Sequence, residues 1–241
     1  MPCFYTPNLI VDTETIEISG EEFHHIVHVR RKQIHQSIKL TNGNGIIAKA
    51  KITGIKKRQL TAQILSLKKE KIYKPNIFAA FSLLKNRNDS LIIEKLTELG
   101  VKAFYPLSFK RTIRQPTKNN IRKLHKTTVA AIKQCDNAYL PKIHKAMKLQ
   151  NFLSQTTGFK PFVALETEQD KLIYDLEIPD SDICLIFGPE GGFTENEKKL
   201  FQNKKISTFS IGNHIVRAET AAIAATSQLL GILLQQNKRY Y

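Results

Sequence analysis

A chain of 241 residues accommodates one large or two modest domains, and its 41% hydrophobic content is enough for real cores. No apolar run reaches the roughly eighteen residues needed to cross a membrane, and the start shows no basic stretch followed by an apolar one that would read as a secretory signal. Cys3, Cys135 and Cys184 are an odd number without metal-ligand spacing, so reduced thiols, a cytoplasmic location and no metal are expected, while a net charge of +16 suits a polyanionic partner.

In chain order, Phe4 to Ile18 is short, apolar and irregular and contains a strand start. Gly20-Glu21-Glu22-Phe23 opens a helix through about Arg31, with an acidic pair where the helix dipole favours it. Ser37 to Leu40 reads as a strand and Asn42-Gly43-Asn44-Gly45 as a hairpin turn. Ile46 to Ile55 and Leu60 to Leu67 alternate as two further strands. The result is a small β-rich domain over residues 1–72. His24 and His28 share a helix face, but no third ligand of matching spacing follows and HExxH is absent, so RNA contact or ordinary packing is the better reading.

Lys68 to Lys74 is a charged stretch ending at Pro75, an interdomain linker, and a second domain occupies residues 76–241. Ile77 to Leu84 is an uncharged apolar strand with Lys85 at its carboxyl end. Asn88-Asp89-Ser90 offers N-caps to a helix over Leu91–Leu99, which Gly100 closes. Val101 to Leu107 is a strand, Asn120 to Ala138 a basic helix, and Phe162 to Leu165 a strand ending at Glu166-Thr167-Glu168.

Ile183 to Phe187 is a buried strand that stops at Gly188-Pro189-Glu190-Gly191-Gly192. Thr194 and Glu197 form a capping box, so a helix starts at about Glu195. Ile206 to Ile211 is a second strand ending in Gly212-Asn213, and a strong helix runs from Ala218 to Gln235. In a parallel α/β sheet, both glycine loops and the end of the Phe162–Leu165 strand lie at the carboxyl edge, where ligands bind. GPEGG alone is an ordinary turn, and it matches neither GxGxxG nor GxxxxGK[ST]. The second loop adds Arg217, Glu219 and Thr220.

The pairing of GPEGGF with IGNHIVRAETAAIAA closely resembles the SPOUT methyltransferases, above all the family that methylates N3 of a uridine in 16S ribosomal RNA. There the second motif usually reads LG-x-x-I-L-R-A-E-T-A. This chain has Ile211 and Val216 where leucine is usual, and keeps Arg217-Ala218-Glu219-Thr220-Ala221. The resemblance implies a C-terminal α/β trefoil-knot domain that binds S-adenosylmethionine, a PUA-like β-barrel in front of it that binds RNA, and a homodimer. It places the cofactor against Leu165, Glu166, Gly188, Pro189, Glu190, Gly191, Ile211, Gly212, Val216, Thr220 and Ala221. It also implies RNA contacts from Arg30, Arg31, Lys85, Arg111, Arg122 and Gln134. Lys95, Glu98, Leu99 and Gly100 match the family's K-A-T-E-L-G-V segment, whereas Lys133 and Asn137 replace its usual Glu and Arg.

Charge distribution agrees with a nucleic-acid partner. Residues 1–75 carry 13 Lys/Arg against 6 Asp/Glu (+7), residues 76–160 carry 16 against 4 (+12), and residues 161–241 carry 8 against 11 (−3). The chemistry expected is methyl transfer to a uracil N3, which is far easier from the imide anion. Arg217 is too basic to take the proton but can stabilise the anion. Glu219, or Glu190, can accept a proton, although a carboxylate at a helix start is also favourable for structural reasons alone. Two other readings stay open: a SPOUT enzyme acting on a ribose 2′-OH or a tRNA base, and a non-catalytic RNA-binding assembly factor.

Overall fold

The computed structural model describes residues 3–155 and 157–236, which divide into two compact units. The first takes the chain up to Ile72 together with Val129–Leu140; the second takes Tyr73–Thr128 and everything from Pro141.

The first unit holds β1 (Cys3–Tyr5), β2 (Thr15–Ser19), α1 (Gly20–His24, continuing as a wider π turn over His25–Val29), β3 (Ser37–Thr41), β4 (Ile46–Ile55) and β5 (Gln59–Lys69). The five strands pair in the order β1-β3-β4-β5-β2, parallel between β1 and β3 and antiparallel elsewhere. Alternation along β4 buries Ile46, Ala48, Ala50 and Ile52 against Phe4, Ile26, Ile38 and Leu60. The Asn42–Gly45 turn forms as its sequence demands: the Asn42 side-chain oxygen accepts from the amides of Asn44 (2.7 Å) and Ile46 (3.0 Å).

Val129–Leu140 joins this unit through specific contacts. The Gly45 amide donates to Ala138 O and the Leu140 amide to Gly43 O, both at 2.8 Å. A side chain at Gly45 would collide with the Tyr139 ring, whose hydroxyl donates to Glu70 O at 2.7 Å. Lys133, a departure from the family pattern, pairs with Glu22 at 2.6 Å, and Lys39 pairs with Asp136 at 2.9 Å.

The second unit contains β6 (Ile77–Ser82), α2 (Asn88–Glu98), β7 (Ala103–Ser108), α3 (Lys118–Gln134), β8 (Lys142–Ile143), β9 (Met147–Lys148), α4 (Leu149–Gln155), β10 (Phe159–Ala164), β11 (Asp182–Phe187), α5 (Glu195–Asn203), β12 (Ser207–Phe209) and α6 (Ala218–Gln236). Helix α3 continues past Thr128 into the first unit, and a left-handed Asp136 (φ 56°) follows its end. The strands are parallel, in the order β12-β10-β11-β6-β7-β8, with β9 also on β7. Both faces of the sheet are covered, which is why β6 and β11 read as near-continuous apolar runs. Phe81, Leu185, Phe187 and Phe162 pack with α2 and α6 on one face, and Ala80, Cys184, Ile186 and Val163 with α4 and α5 on the other.

Candidate active site at the carboxyl edge of the parallel sheet

Because β6, β10, β11 and β12 are parallel neighbours, the loops that follow them emerge at one edge. The loop after β11 is anchored by Phe193. Its buried ring packs edge-on against Phe109 (5.4 Å) and Phe201 (5.2 Å). A Cβ on Gly188 would stand 3.0 Å from that ring, and Gly192, at φ +67°, closes the turn with its amide on Pro189 O at 2.8 Å. The Thr194–Glu197 capping box is present in full at the start of α5. The Arg111 guanidinium donates to Gly191 O at 2.7 Å and Phe193 O at 3.4 Å, so this side chain, expected to contact RNA, is turned to the glycine loop.

The loop after β12 runs from Ser210 to Arg217. The Ser210 hydroxyl donates to Gly212 O at 2.9 Å, and the Gln228 amide reaches back from α6 to Ile211 O at 3.2 Å. The other side-chain atom of Gln228, Oε1, is buried without a partner among the described residues. Gly212 has no positive φ, and a Cβ there would meet nothing within 4 Å. Ile215 is 83% exposed and Val216 38%. Arg217 is exposed, and among the described residues its guanidinium enters no hydrogen bond or ion pair.

Between these two lies the loop after β10. The Leu165 amide donates to Phe209 O at 2.9 Å, and the Glu166 carboxylate abuts Gly192 so closely that a side chain there would displace it. The Thr208 hydroxyl donates to Glu168 and holds that carboxyl below its ordinary range against the opposing effect of burial. This edge therefore carries carboxylates from the β10 loop next to the Arg111 guanidinium on the glycine loop.

The turn after β6 completes the edge. The Lys85 amide donates to Glu190 Oε1 at 2.7 Å, and Asn88 Nδ2 donates to Glu219 Oε1 at 2.8 Å. Glu219 is 8% exposed in the first turn of α6. Arg114 donates to Leu84 O (3.2 Å), Asp89 Oδ1 (2.6 Å) and Asn120 Oδ1 (3.0 Å). Burial raises the Asp89 carboxyl, and Arg114 opposes the shift.

Of the cofactor residues named from sequence, Leu165, Glu166, Gly188–Gly191, Ile211, Gly212, Val216, Thr220 and Ala221 all belong to three adjacent loops or to the start of α6. Lys85 and Arg111 share that edge, Arg122 is exposed on α3, and Arg30, Arg31 and Gln134 are exposed on the first unit. Sequence reasoning missed Asn88, Arg114 and Gln228, whose partners belong to other elements or loops. Among the described residues no group of three or more His, Cys, Asp or Glu is placed to hold a metal, and no helix is long and apolar enough to cross a membrane.

The model of the RNA methyltransferase domain matches residues 72–230, and that of the RNA methyltransferase PUA domain matches residues 18–65. The chain is 28% identical to Ribosomal RNA small subunit methyltransferase E of Rickettsia conorii over 93% of each chain. It superposes on Ribosomal RNA small subunit methyltransferase E of Neisseria gonorrhoeae with a TM-score of 0.88 at 23% identity, over 96% of this chain and 98% of that one, a likeness of fold. It also superposes on a Legionella pneumophila protein solved in complex with the cofactor SAM, with a TM-score of 0.87, 25% identity and coverage of 95% and 97%.

Proposed function

The chain belongs to the RNA methyltransferase family, and from that premise we propose that it methylates N3 of a uridine in 16S rRNA of the small ribosomal subunit, using S-adenosylmethionine. The observation that carries this reading is the convergence of the GPEGGF and IGNHIVRAETAA segments with the Leu165–Glu168 loop at one edge of a parallel sheet.

That edge fits the cofactor on its own chemistry. The space beside Gly212 is open, although neither backbone conformation nor crowding requires a glycine there. Gln228 Oε1 is an unsatisfied acceptor next to the same loop. Glu166, Glu168 and Glu190 suit a cation. When bound, S-adenosylmethionine supplies an activated methyl group. Gly212 leaves room for its adenosine, Gly188, Pro189 and Gly191 offer backbone beside it, and Leu165, Ile211, Val216 and Ala221 supply apolar walls, with Thr220 beside them.

Uracil N3–H is a weak acid, and its anion is the better nucleophile. The exposed Arg217 guanidinium is suited to stabilise charge on O2 or O4 as the proton leaves. Glu219, the other candidate for catalysis, is already an acceptor for Asn88. The basic N-terminal two thirds supply phosphate contacts, with Arg30, Arg31, Arg122, Gln134 and Lys85 as candidates and Arg111 as support for the glycine loop. Helix α6 keeps Ile223, Leu230, Ile232 and Leu234 half-buried beside its fully buried stripe, which suits packing on a second copy in a cytoplasmic homodimer; a monomer by light scattering at micromolar concentration contradicts that part. The test of the activity is transfer of labelled methyl to purified small subunits. Label entering 16S rRNA is expected. Label entering only tRNA, or cofactor binding with no transfer to any RNA, overturns the reading.

A further inference from the structure

We infer that Glu219 is a positioning residue and not a proton acceptor, and that together with Glu190 it clamps the Leu84–Asn88 turn to both glycine-loop segments. As a statement about methyl transfer, this rests on the function proposed above. The turn is gripped at both ends by acids from different segments. Glu190, from the loop after β11, accepts the Lys85 amide at 2.7 Å, and Glu219, at the start of α6, accepts the Asn88 side chain at 2.8 Å. Between those points Asn86 takes a left-handed conformation (φ 53°), one that asparagine tolerates better than other side chains, and it makes the sharp bend of the turn. Arg114 fixes the same turn from a third direction through Leu84 O and Asp89.

A general base must present a free lone pair to its substrate. Oε1 of Glu219 is taken by the Asn88 amide and the residue is 8% exposed, so the carboxylate is anchored to the turn. Lys85, by contrast, has an exposed side chain on the clamped turn, at the carboxyl end of β6. Ordering the turn therefore sets where a cation stands relative to the cofactor loops, so the RNA phosphate that Lys85 meets is held in register with the methyl donor.

The experiment compares Glu219→Ala, Glu219→Gln, Asn88→Ala and the Glu219→Ala/Asn88→Ala double variant of the full chain. Single-turnover transfer to small subunits should fall about tenfold or more in each alanine variant, with no further loss in the double, because both remove one interaction. Glutamine keeps a carbonyl acceptor for Asn88, so Glu219→Gln should recover most of the loss and keep the wild-type pH profile. A glutamine variant as slow as alanine, with the acid limb of the profile gone, overturns the inference and makes Glu219 the base. A second readout needs neither cofactor nor RNA. In the free protein, amide exchange of the peptide covering Leu84–Asn88 should accelerate at least tenfold in Glu190→Ala and in Glu219→Ala. Unchanged exchange in both overturns the clamp. A wild-type protein that methylates no RNA overturns the proposed function instead, and the exchange result still decides the clamp.

Discussion

Arg217 sits immediately before α6 and is exposed, and among the described residues it pairs with no carboxylate, Glu190 accepting from the Lys85 amide and Glu219 from Asn88. A desolvated RNA base offers the charge such a fork can meet. Losing one transition-state donor typically slows the chemical step ~100-fold or more. Arg217→Ala should therefore keep the fold and most cofactor affinity while single-turnover transfer drops by about that factor. Lysine should rescue poorly, since it offers a point charge in place of a planar fork. Near-normal transfer by the alanine variant returns Arg217 to a structural role. Gly212 makes the complementary case for the cofactor. Nothing in the protein's own packing forbids a side chain there. Gly212→Val should leave the melting temperature in place and abolish S-adenosylmethionine binding by calorimetry. Undiminished affinity contradicts the assignment of that loop.

Among the elements, the starts of β6 and β11 are tied by Asp182. Its carboxylate accepts from Asn76 N and Nδ2, both at 2.9 Å, and from Lys74 at 3.1 Å. Burial alone would raise this carboxyl, but the Asn76 bonds and Lys74 outweigh it and hold it below its ordinary value of 3.8. A depressed folded-state pKa means the stabilisation is present above the unfolded value and is lost as pH falls through the folded one. Asp182→Ala should cost about 1.5–3 kcal/mol at pH 7, and progressively less as pH falls below 3.8, read from urea melts across that range. A deficit that persists undiminished in acid contradicts this account. The same scale shows what the sequence makes legible. The capping box of α5, the Asn42–Gly45 turn and the apolar strands β6 and β11 are local patterns, and each stands where the residues put it. Helix α4 sets Leu149, Phe152 and Leu153 at i, i+3, i+4, but seven residues are too short a stretch for that spacing to mark a helix in the sequence. The Asn88–Glu219 bond spans 131 positions, and the fit of Gly45 to Tyr139 is equally non-local; no periodicity announces either.

For the molecule as a whole, charge is segregated along the chain, +7 and +12 over residues 1–75 and 76–160 against −3 from residue 161 on. Phosphate binding releases counterions, so affinity for 16S rRNA should fall steeply as salt rises while cofactor affinity barely moves. A flat salt response would take the basic surface out of RNA binding. Family membership and the parallel-sheet edge establish the kind of enzyme; the base and the atom that receive the methyl group are the central claim. The most direct measurement is nucleoside mass spectrometry of 16S rRNA from small subunits treated with this protein and S-adenosylmethionine, against untreated subunits. The account predicts one new 3-methyluridine and its absence when Arg217→Ala is used. A methyl group on a ribose 2′-oxygen, on another base, or on no nucleoside of 16S rRNA contradicts it.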